Sequence, residues 1–279
     1  MSDPVIRTRV AAELGSEHLF HGYRVFAELA GAETFSGLTA LAIVGRRLDE
    51  AERLVLDDIA CVMALADPRV WPLKISRVLA SYGSFVLGCF AGSLCLEEAV
   101  IGPWSCGLAA RVLSDFATEL GPRVGDDDSV RDAVRQRLAR DERLPGFGVP
   151  LRNVDERLVA LAACMKRRGR DEMPNWKLMV GVSDALRRSH GLEPNIAMGL
   201  AAAALDLGFA PDEIGPLMVS LLQPTFIANA LEGAQQQSAF LREMPREHVR
   251  YVGAPPRTSP RALALAARPS AAKHSQSPP

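Results

Sequence analysis

The residues best suited to form a ligand site lie in one irregular segment, residues 144–157, with the sequence LPGFGVPLRNVDER. Gly146 and Gly148 flank Phe147 there, and two glycines around an aromatic residue let a backbone turn sharply and approach another surface closely. A proline on either side stiffens the turn. We therefore expect a rigid loop whose backbone can approach another surface closely.

Charged side chains follow the two glycines. Arg152, Asp155 and Arg157 lie within six residues, immediately before a predicted helix. Guanidinium groups beside backbone amides favour phosphate or carboxylate, so this cluster predicts an anion site. A purely local alternative stays open, in which Asp155 caps the helix and pairs with a neighbouring arginine.

Other kinds of site have little support. Of the five histidines, His18 and His21 are three residues apart, but no further ligands follow at metal-site spacing, so no metal centre is expected. P-loop, dinucleotide-binding and G-x-S-x-G motifs are absent from the sequence. The 32 basic and 33 acidic side chains nearly cancel, which gives no broad attraction to nucleic acid or to a membrane surface.

The cysteines and the amino terminus indicate a cellular compartment. Five cysteines lie among apolar neighbours without a C-x-x-C pair, which is typical of reduced, buried thiols. Asp3, Arg7 and Arg9 precede any apolar run, so no signal peptide is expected. Both observations favour a cytoplasmic protein.

Helical periodicity dominates the chain and strand patterns are nearly absent, so the expected fold class is all-α. Proline and glycine punctuate the helices, as at Gly102-Pro103 and Gly121-Pro122. Residues 255–279 are rich in Pro, Ser and Ala and predict a disordered tail. The helices are expected at about residues 51–66, 73–81, 84–100, 104–120, 130–143, 156–168, 176–190, 195–207, 212–222 and 224–241.

The loop resembles the P-G-F-G-H-x-(V/L)-(Y/R)-x-x-D-P-R loop of the citrate synthase superfamily, and six other segments match motifs of that family in order. The resemblance runs from about residue 20 to residue 254, and the short amino-terminal region resembles the compact citryl-CoA-lyase-like form. The other segments are residues 21–29 (R-G-Y-x-(I/L)-x-E-L), 34–48 (S-F-x-E … L-L-x-G-E-L-P), 102–109 (G-P-L-H-G-G-A), 174–177 (P-N-V-D), 226–232 (W-I-A-H-x-x-E) and 245–253 (R-P-x-x-x-Y-x-G).

This resemblance implies an all-helical homodimer with a cleft between two domains. The large domain would comprise residues 1–108 and 190–254, and the small domain residues 109–189. The expected chemistry joins or splits an acyl-CoA, bound as the coenzyme A thioester, and a keto acid, with one aspartate and two histidines as the acid–base groups. Arg157 and Asp155 would bind substrate, and Gly146, Phe147, Gly148 and Arg152 the coenzyme.

The departures from the family pattern fall on that chemistry. The two histidines correspond to Ser105 and Val149, and the proton-accepting aspartate of P-N-V-D to Lys177. Two arginines that would hold carboxylates correspond to Leu222 and Met244. Valine cannot transfer a proton and serine is a poor acid or base. Lys177 could serve as a base or form a Schiff base if it were desolvated, and would be inert if exposed or paired with an acid.

Three functions therefore remain open. The first is a divergent acyltransferase or lyase of the citrate synthase type that acts on an acyl-CoA and a less charged partner than oxaloacetate. The second is a non-catalytic protein that keeps coenzyme A or anion binding in a regulatory role. The third is a structural helical partner.

Overall fold

The computed structural model describes residues 5–64, 67–68, 70–97, 102–149, 153–236, 246–254 and 259–266. The chain divides into two units, Met1–Ser238 and Ala239–Pro279. The first unit contains the loop at residues 144–157 and all the helices that position it.

Helices make up most of the described chain, as the sequence predicts. Ten lie in the first unit and one in the second. They are α1 (Phe35–Val44), α2 (Glu50–Val62), α3 (Trp71–Ser81), α4 (Phe85–Glu97), α5 (Pro103–Leu120), α6 (Asp127–Ala139), α7 (Glu156–Arg167), α8 (Pro174–His190), α9 (Ile196–Asp206), α10 (Pro211–Ala234) and α11 (Pro260–Ala266).

Local sequence explains where the helices begin. Asp49 and Glu52 form a capping box on α2: the Glu52 amide donates to Asp49 Oδ1 at 2.7 Å and the Asp49 amide to Glu52 Oε2 at 3.0 Å. Prolines occupy the first turns of α3, α5, α8 and α10, where their missing N–H is not needed. Because these signals are local, most boundaries lie within a few residues of those predicted.

The core of the first unit is centred on α9 and α10. Every residue from Ile196 to Ala204 is buried, so α9 is apolar on all sides and is enclosed by α5, α7 and α8. The longer α10 packs against α3, α4 and α5. Phe116, Phe209 and Phe226 are among the largest fully buried side chains. The amino terminus of α9 is thereby held rigidly beside the loop.

One predicted break is wrong. The sequence predicts two helices, at residues 212–222 and 224–241, but α10 continues through Pro216 and Pro224. Each proline removes one backbone hydrogen bond. Packing against three neighbouring helices offsets that loss, and Gln223 Nε2 donates to the Val219 carbonyl at 3.3 Å within the interrupted turn.

A small sheet near the amino terminus was not expected. Strands β1 (Ala11–Leu14), β2 (Glu17–Phe20) and β3 (Tyr23–Arg24) pair antiparallel in the order β1-β2-β3. Gly15, with φ +63°, turns the chain between the first two. The sequence does not predict this sheet, because AAEL and EHLF lack the β-branched residues typical of strands.

The predicted division into large and small domains stays a prediction, although its first border, after residue 108, falls inside the continuous helix α5. In the predicted tail, Pro260–Ala266 forms α11, and residues 255–258 and 267–279 lie outside the described residues. Helix α10 is long and apolar enough to cross a membrane by length and composition, but half of its most apolar window is buried inside the protein.

Candidate functional site

The two loop glycines adopt conformations that the sequence anticipates. Gly146 has φ +95° and Gly148 φ +91°, a region that side-chain-bearing residues rarely adopt. A Cβ atom on Gly146 would lie 2.7 Å from Met198 Cε and 3.1 Å from Ala109 Cβ. The loop therefore packs closely against α5 and α9. Among the described residues, a Cβ on Gly148 would meet no atom within 4 Å, so they leave that side of the loop open.

The segment that precedes α9 holds the loop in place. The Gly148 amide donates to the Glu193 carbonyl at 2.8 Å, and the Asn195 amide donates to the Gly146 carbonyl at 2.9 Å. Asn195 Nδ2 also donates to the Gly148 carbonyl at 3.1 Å, while its Oδ1 accepts from the Ala197 amide at 3.0 Å. Asn195 thus caps α9 and fixes the loop, a role that the sequence analysis did not assign to it.

Asp155 is buried, with 2% of its surface exposed. Its carboxylate accepts four hydrogen bonds. Three come from Arg157, from the backbone amide at 3.1 Å, Nε at 2.9 Å and Nη2 at 2.8 Å. The fourth comes from the Ile196 amide at 2.9 Å. Asp155 therefore caps α7 and also satisfies an amide at the start of α9.

These contacts decide the charge of Asp155. Burial raises the pKa of the carboxyl, but the hydrogen bonds from Arg157 and Ile196 together outweigh it and hold the pKa below its ordinary value. Asp155 is therefore an ionised carboxylate whose two oxygens already accept hydrogen bonds from Arg157 and Ile196. This is the local alternative that the sequence left open, in which Asp155 caps the helix and pairs with an arginine.

The remaining loop residues have mixed outcomes. Arg157 keeps 39% of its side chain exposed while two of its nitrogens bind Asp155. Phe147 is half-buried against the core, and Val149 is half-buried. Arg152, predicted to contact the coenzyme, lies outside the described residues.

Ser105 lies in the first turn of α5 and is half-buried. Its Oγ donates to the Gly102 carbonyl at 2.6 Å, within its own helix turn. It precedes Ala109, which contacts the loop at Gly146, by four residues, so both lie on one side of α5. The structure therefore brings position 105 toward the loop, but its hydroxyl proton is already donated.

Lys177 does not meet the condition for a reactive lysine. Its side chain is 58% exposed, and Nζ lies 3.0 Å from Glu172 Oε2. A lysine that acts as a base or forms a Schiff base needs desolvation, which is missing here. The prediction of Lys177 as a catalytic residue is not supported.

A second Pro-Asn pair, Pro194-Asn195, lies against the glycine loop. Residues 194–197, Pro-Asn-Ile-Ala, contact the glycine loop through Asn195 and through a bridge between Pro194 and Phe147. Ala197, the fourth residue of this segment, is 5% exposed. The sequence contains both pairs, and only the contact with the loop distinguishes them. We propose below that Ala197, rather than Lys177, stands at the position of the family's aspartate.

The first pair, Pro174-Asn175, has a structural role. The amides of Asn175 and Trp176 donate to the Asp206 carboxylate at 2.8 and 2.9 Å, and Asn175 Nδ2 donates to it at 2.9 Å. Asp206, the last residue of α9, thus caps the start of α8. Burial raises the pKa of Asp206, and the donated hydrogen bonds only partly offset this.

Within the part of the chain that the structure describes, no group of three or more His, Cys, Asp and Glu side chains is arranged to hold a metal ion. What the site presents is a rigid loop with an open glycine, one partly exposed guanidinium and a buried, occupied carboxylate. That combination is suited to binding an anionic group, while proton transfer would need groups that these positions lack.

No protein-family model matches the sequence, and no curated protein matches it. Solved structures do match. Citryl-CoA lyase from Hydrogenobacter thermophilus is 22% identical, covers 94% of this chain and all of its own, and gives a TM-score of 0.79. ATP citrate lyase from Methanothrix soehngenii, solved with citrate and coenzyme A, is 18% identical over 91% of this chain and 43% of its own, with a TM-score of 0.71. Citrate synthase from Thermotoga maritima is 18% identical over 77% and 56%, with a TM-score of 0.56.

These likenesses establish the fold. The chain has the all-α fold of the citrate synthase superfamily in the compact form of citryl-CoA lyase, as the seven sequence motifs predict. The full coverage of the lyase chain agrees with the short amino-terminal region. At these identities, the activity of the neighbours is not carried over with their fold.

Proposed function

We propose that this protein binds a coenzyme A thioester or a related anion beside the glycine loop and does not carry out the acid–base chemistry of citrate synthases. One observation carries the proposal: the Pro-Asn segment that contacts the glycine loop continues into the buried Ala197, at the position that we assign to the proton-accepting aspartate of the family. The Asp155 carboxylate, the acidic group that the loop does keep, accepts four hydrogen bonds and has a lowered pKa, so it is a weak base.

The three positions that would transfer protons support the same conclusion. Valine stands at 149 and alanine at 197, and neither side chain can donate or accept a proton. Ser105 donates to its own helix. Since a positioned acid or base contributes about 10²–10⁴-fold to rate, three replacements together remove ordinary citrate formation or cleavage.

Ligand binding rests on what the loop retains. The open side of Gly148 permits close approach to the backbone, and the exposed part of Arg157 supplies positive charge. We assign Arg152 to the coenzyme phosphates on the resemblance alone. The nature of the ligand is suggested by the neighbours, one of which was solved with citrate and coenzyme A and another with (3S)-citryl-CoA.

A divergent transferase or lyase with an acceptor other than oxaloacetate is the second candidate. Leu222, which takes the place of a carboxylate-binding arginine in the resemblance, is buried and apolar. That substitution favours an uncharged acceptor. This candidate needs a base other than Lys177, because Lys177 is exposed and paired with Glu172.

We also propose a homodimer formed through α4. This helix carries no charged residue from Phe85 to Leu96 and is apolar on every side, a pattern typical of a helix that is covered all round. One side packs against α3 and α10. Val86, Phe90 and Leu94, spaced at four residues, are exposed on the other. An uncharged apolar stripe is complementary to a second copy of itself.

The cytoplasmic location expected from the sequence remains a proposal. Its support is the set of five cysteines without a C-x-x-C pair. Cys89 is a buried free thiol, as expected, whereas Cys61 is exposed, contrary to the expectation of a buried thiol.

Calorimetry combined with proton exchange tests the proposed function. The protein is titrated with coenzyme A, acetyl-CoA and citrate, and the methyl protons of acetyl-CoA are followed by NMR in deuterated water. We expect binding of a coenzyme A compound without enzyme-dependent exchange. Exchange above the uncatalysed rate would establish the second candidate, and absence of binding to every coenzyme A compound would exclude both.

A further inference from the structure

The glycine loop is held by the residues that join α8 to α9, residues 191–195, which we call the α8–α9 linker. The two ends of this linker differ in burial. Pro194 is buried, as is Ile196 in the first turn of α9. Gly191 and Leu192 are exposed. The apolar core therefore fixes the end of the linker next to α9 and leaves the end next to α8 in contact with solvent.

Glu193 lies between these two ends and contacts the loop through its backbone. Its carbonyl accepts the hydrogen bond from the Gly148 amide at 2.8 Å. Because a peptide unit is planar, this hydrogen bond fixes the orientation of the peptide that joins Phe147 to Gly148. The open side of Gly148, where we propose that the ligand approaches, therefore depends on the position of Glu193.

The side chain of Glu193 is bound by Arg187, which lies in the last turn of α8. Arg187 Nε donates to Glu193 Oε1 at 2.7 Å, and Arg187 Nη2 donates to Glu193 Oε2 at 3.0 Å. The remaining nitrogen, Nη1, donates to Asp184 Oδ1 at 2.5 Å, one turn earlier in the same helix. All three guanidinium nitrogens thus bind carboxylate oxygens, so Arg187 is fixed to α8 on one side and to the linker on the other.

The geometry of this ion pair makes it stronger than most pairs at a protein surface. Exposed pairs usually contribute little, because two long side chains lose freedom when they are held together. Here the pair is bidentate, and Asp184 already restricts the arginine before Glu193 is bound. The hydrogen bonds from Arg187 also hold the pKa of the Glu193 carboxyl below its ordinary value, so the pair is charged at neutral pH.

We propose that Arg187 is a positioning residue of the ligand site: it holds Glu193, whose carbonyl orients the Gly148 peptide for ligand binding. This inference rests on the proposed function, because the affinity that it concerns is the affinity for a coenzyme A compound. Direct contact between the Arg187 guanidinium and an anionic ligand is the alternative. The indirect role is favoured because all three guanidinium nitrogens are already bound to Glu193 and Asp184.

A double-mutant cycle on the affinity for coenzyme A separates these two roles. The full-length wild type, Arg187→Ala, Glu193→Ala and the double variant are titrated with coenzyme A by calorimetry. We expect each single variant to bind about five-fold more weakly than the wild type. The double variant should bind as Glu193→Ala does, because Arg187 acts through Glu193. A further loss of affinity in the double variant would show that Arg187 contacts the ligand itself and would overturn the proposal.

Hydrogen exchange of the Gly148 amide tests the positioning without any ligand. The exchange is followed by NMR in the free protein, since this amide is protected by its hydrogen bond to the Glu193 carbonyl. We expect exchange about five-fold faster in Arg187→Ala and in Glu193→Ala than in the wild type, because both changes release the linker. Unchanged exchange in the two variants would overturn the proposal.

Asp58→Ala is the matched control, because Asp58 also accepts two hydrogen bonds from one arginine, Arg168, and neither donates to nor accepts from the loop among the described residues. It should leave the affinity and the Gly148 exchange within two-fold of the wild type. If the wild type binds no coenzyme A compound, the proposed function is wrong, and the Gly148 exchange still decides whether Arg187 positions the loop. If the wild type binds and the Arg187→Ala variant matches it in affinity and exchange, the positioning role is wrong and the proposed function stands.

Discussion

The carboxylate of Asp155 accepts a 2.9 Å hydrogen bond from the backbone amide of Ile196, at the start of α9. The same side chain caps α7, so it binds backbone amides at the starts of two helices. Asn195, the neighbour of Ile196, binds both glycines of the loop. The loop and two helix amino termini are thus joined through two adjacent residues and one aspartate. The aspartate that the resemblance assigned to substrate binding holds the site together instead.

Replacement of Asp155 should therefore cost stability. Asp155→Ala leaves the Ile196 amide without its acceptor and the Arg157 guanidinium without its partner, and we expect a loss of roughly 3 kcal/mol in the free energy of unfolding. Urea denaturation measures this. Asp126→Ala removes an exposed cap of α6 as a control and should cost clearly less than Asp155→Ala. Equal losses for the two variants would contradict the buried role of Asp155.

Asp155 and Asp206 should have opposite pH dependences. The pKa of Asp155 lies below the ordinary value of 3.8, so its contribution to stability is present above that value and is lost as the pH falls through the lowered pKa. The pKa of Asp206 is raised, so its contribution is fully present below 3.8 and is lost as the pH rises through the raised pKa.

Unfolding of the wild type, Asp155→Ala and Asp206→Ala between pH 3 and pH 7 compares these contributions. The difference between wild type and Asp155→Ala should shrink as the pH falls below about 4. The difference between wild type and Asp206→Ala should shrink as the pH rises from 4 toward 7. Parallel trends for the two variants would contradict the pKa directions inferred from their surroundings.

Gly148 should matter for ligand binding more than for folding. A Cβ added at Gly148 meets no atom of the described residues within 4 Å, and the same is true of Gly169, which also has a positive φ of +64°. Alanine at either position should therefore cost about 1 kcal/mol of backbone strain. Only Gly148→Ala should weaken coenzyme A binding, by at least ten-fold in calorimetry, because only that glycine lies on the open side of the loop. Similar affinities in both variants would place the ligand elsewhere.

Lys177 should be dispensable. Its ion pair with Glu172 is exposed at both ends, and such pairs contribute about 0–1 kcal/mol. We expect Lys177→Ala to change the free energy of unfolding by less than about 1 kcal/mol. Its affinity for coenzyme A, measured by calorimetry, should stay within two-fold of the wild-type value. A large loss of binding or of a measured activity would restore the lysine as a functional residue.

The exposed side of α4 should be required for dimerisation. Phe90→Glu places a charge in the centre of the apolar stripe, which would be buried unpaired in the interface, and we expect a monomer in light scattering. Val159→Glu, at an exposed position on α7, is the control and should leave the dimer intact. A monomeric wild type, or a dimeric Phe90→Glu protein, would exclude this interface.

Most helices could be predicted because their signals are local. Capping residues such as Asp49, Asp126 and Asn195, and prolines at helix starts, mark boundaries within one or two turns. The same reasoning is wrong for α10, where Pro224 predicts the end of one helix and the start of another, but the helix continues through it. The neighbours that keep this helix continuous are far away in sequence, so no local signal predicts them.

The sequence predicts where the candidate site lies, but it does not predict which residues contact one another there. Two glycines and three charged residues indicated a loop, and its positive φ angles agree with that prediction. The sequence holds two Pro-Asn pairs of equal merit, however. The choice of Asn195 over Asn175 depends on which pair contacts the loop, a relationship between segments about 50 residues apart.

The sequence by itself determined the helical class, the fold, and the replacement of two family histidines by Ser105 and Val149. The helical class follows from short-range periodicity, and the fold and the two replacements follow from the resemblance of ordered motifs to a known family. Only the tertiary structure decided that Asp155 is a buried structural carboxylate, that Lys177 is exposed, and that Ala197 follows the asparagine that contacts the loop. Burial and hydrogen-bond partners set the chemistry of a side chain, and both come from segments that are distant along the chain.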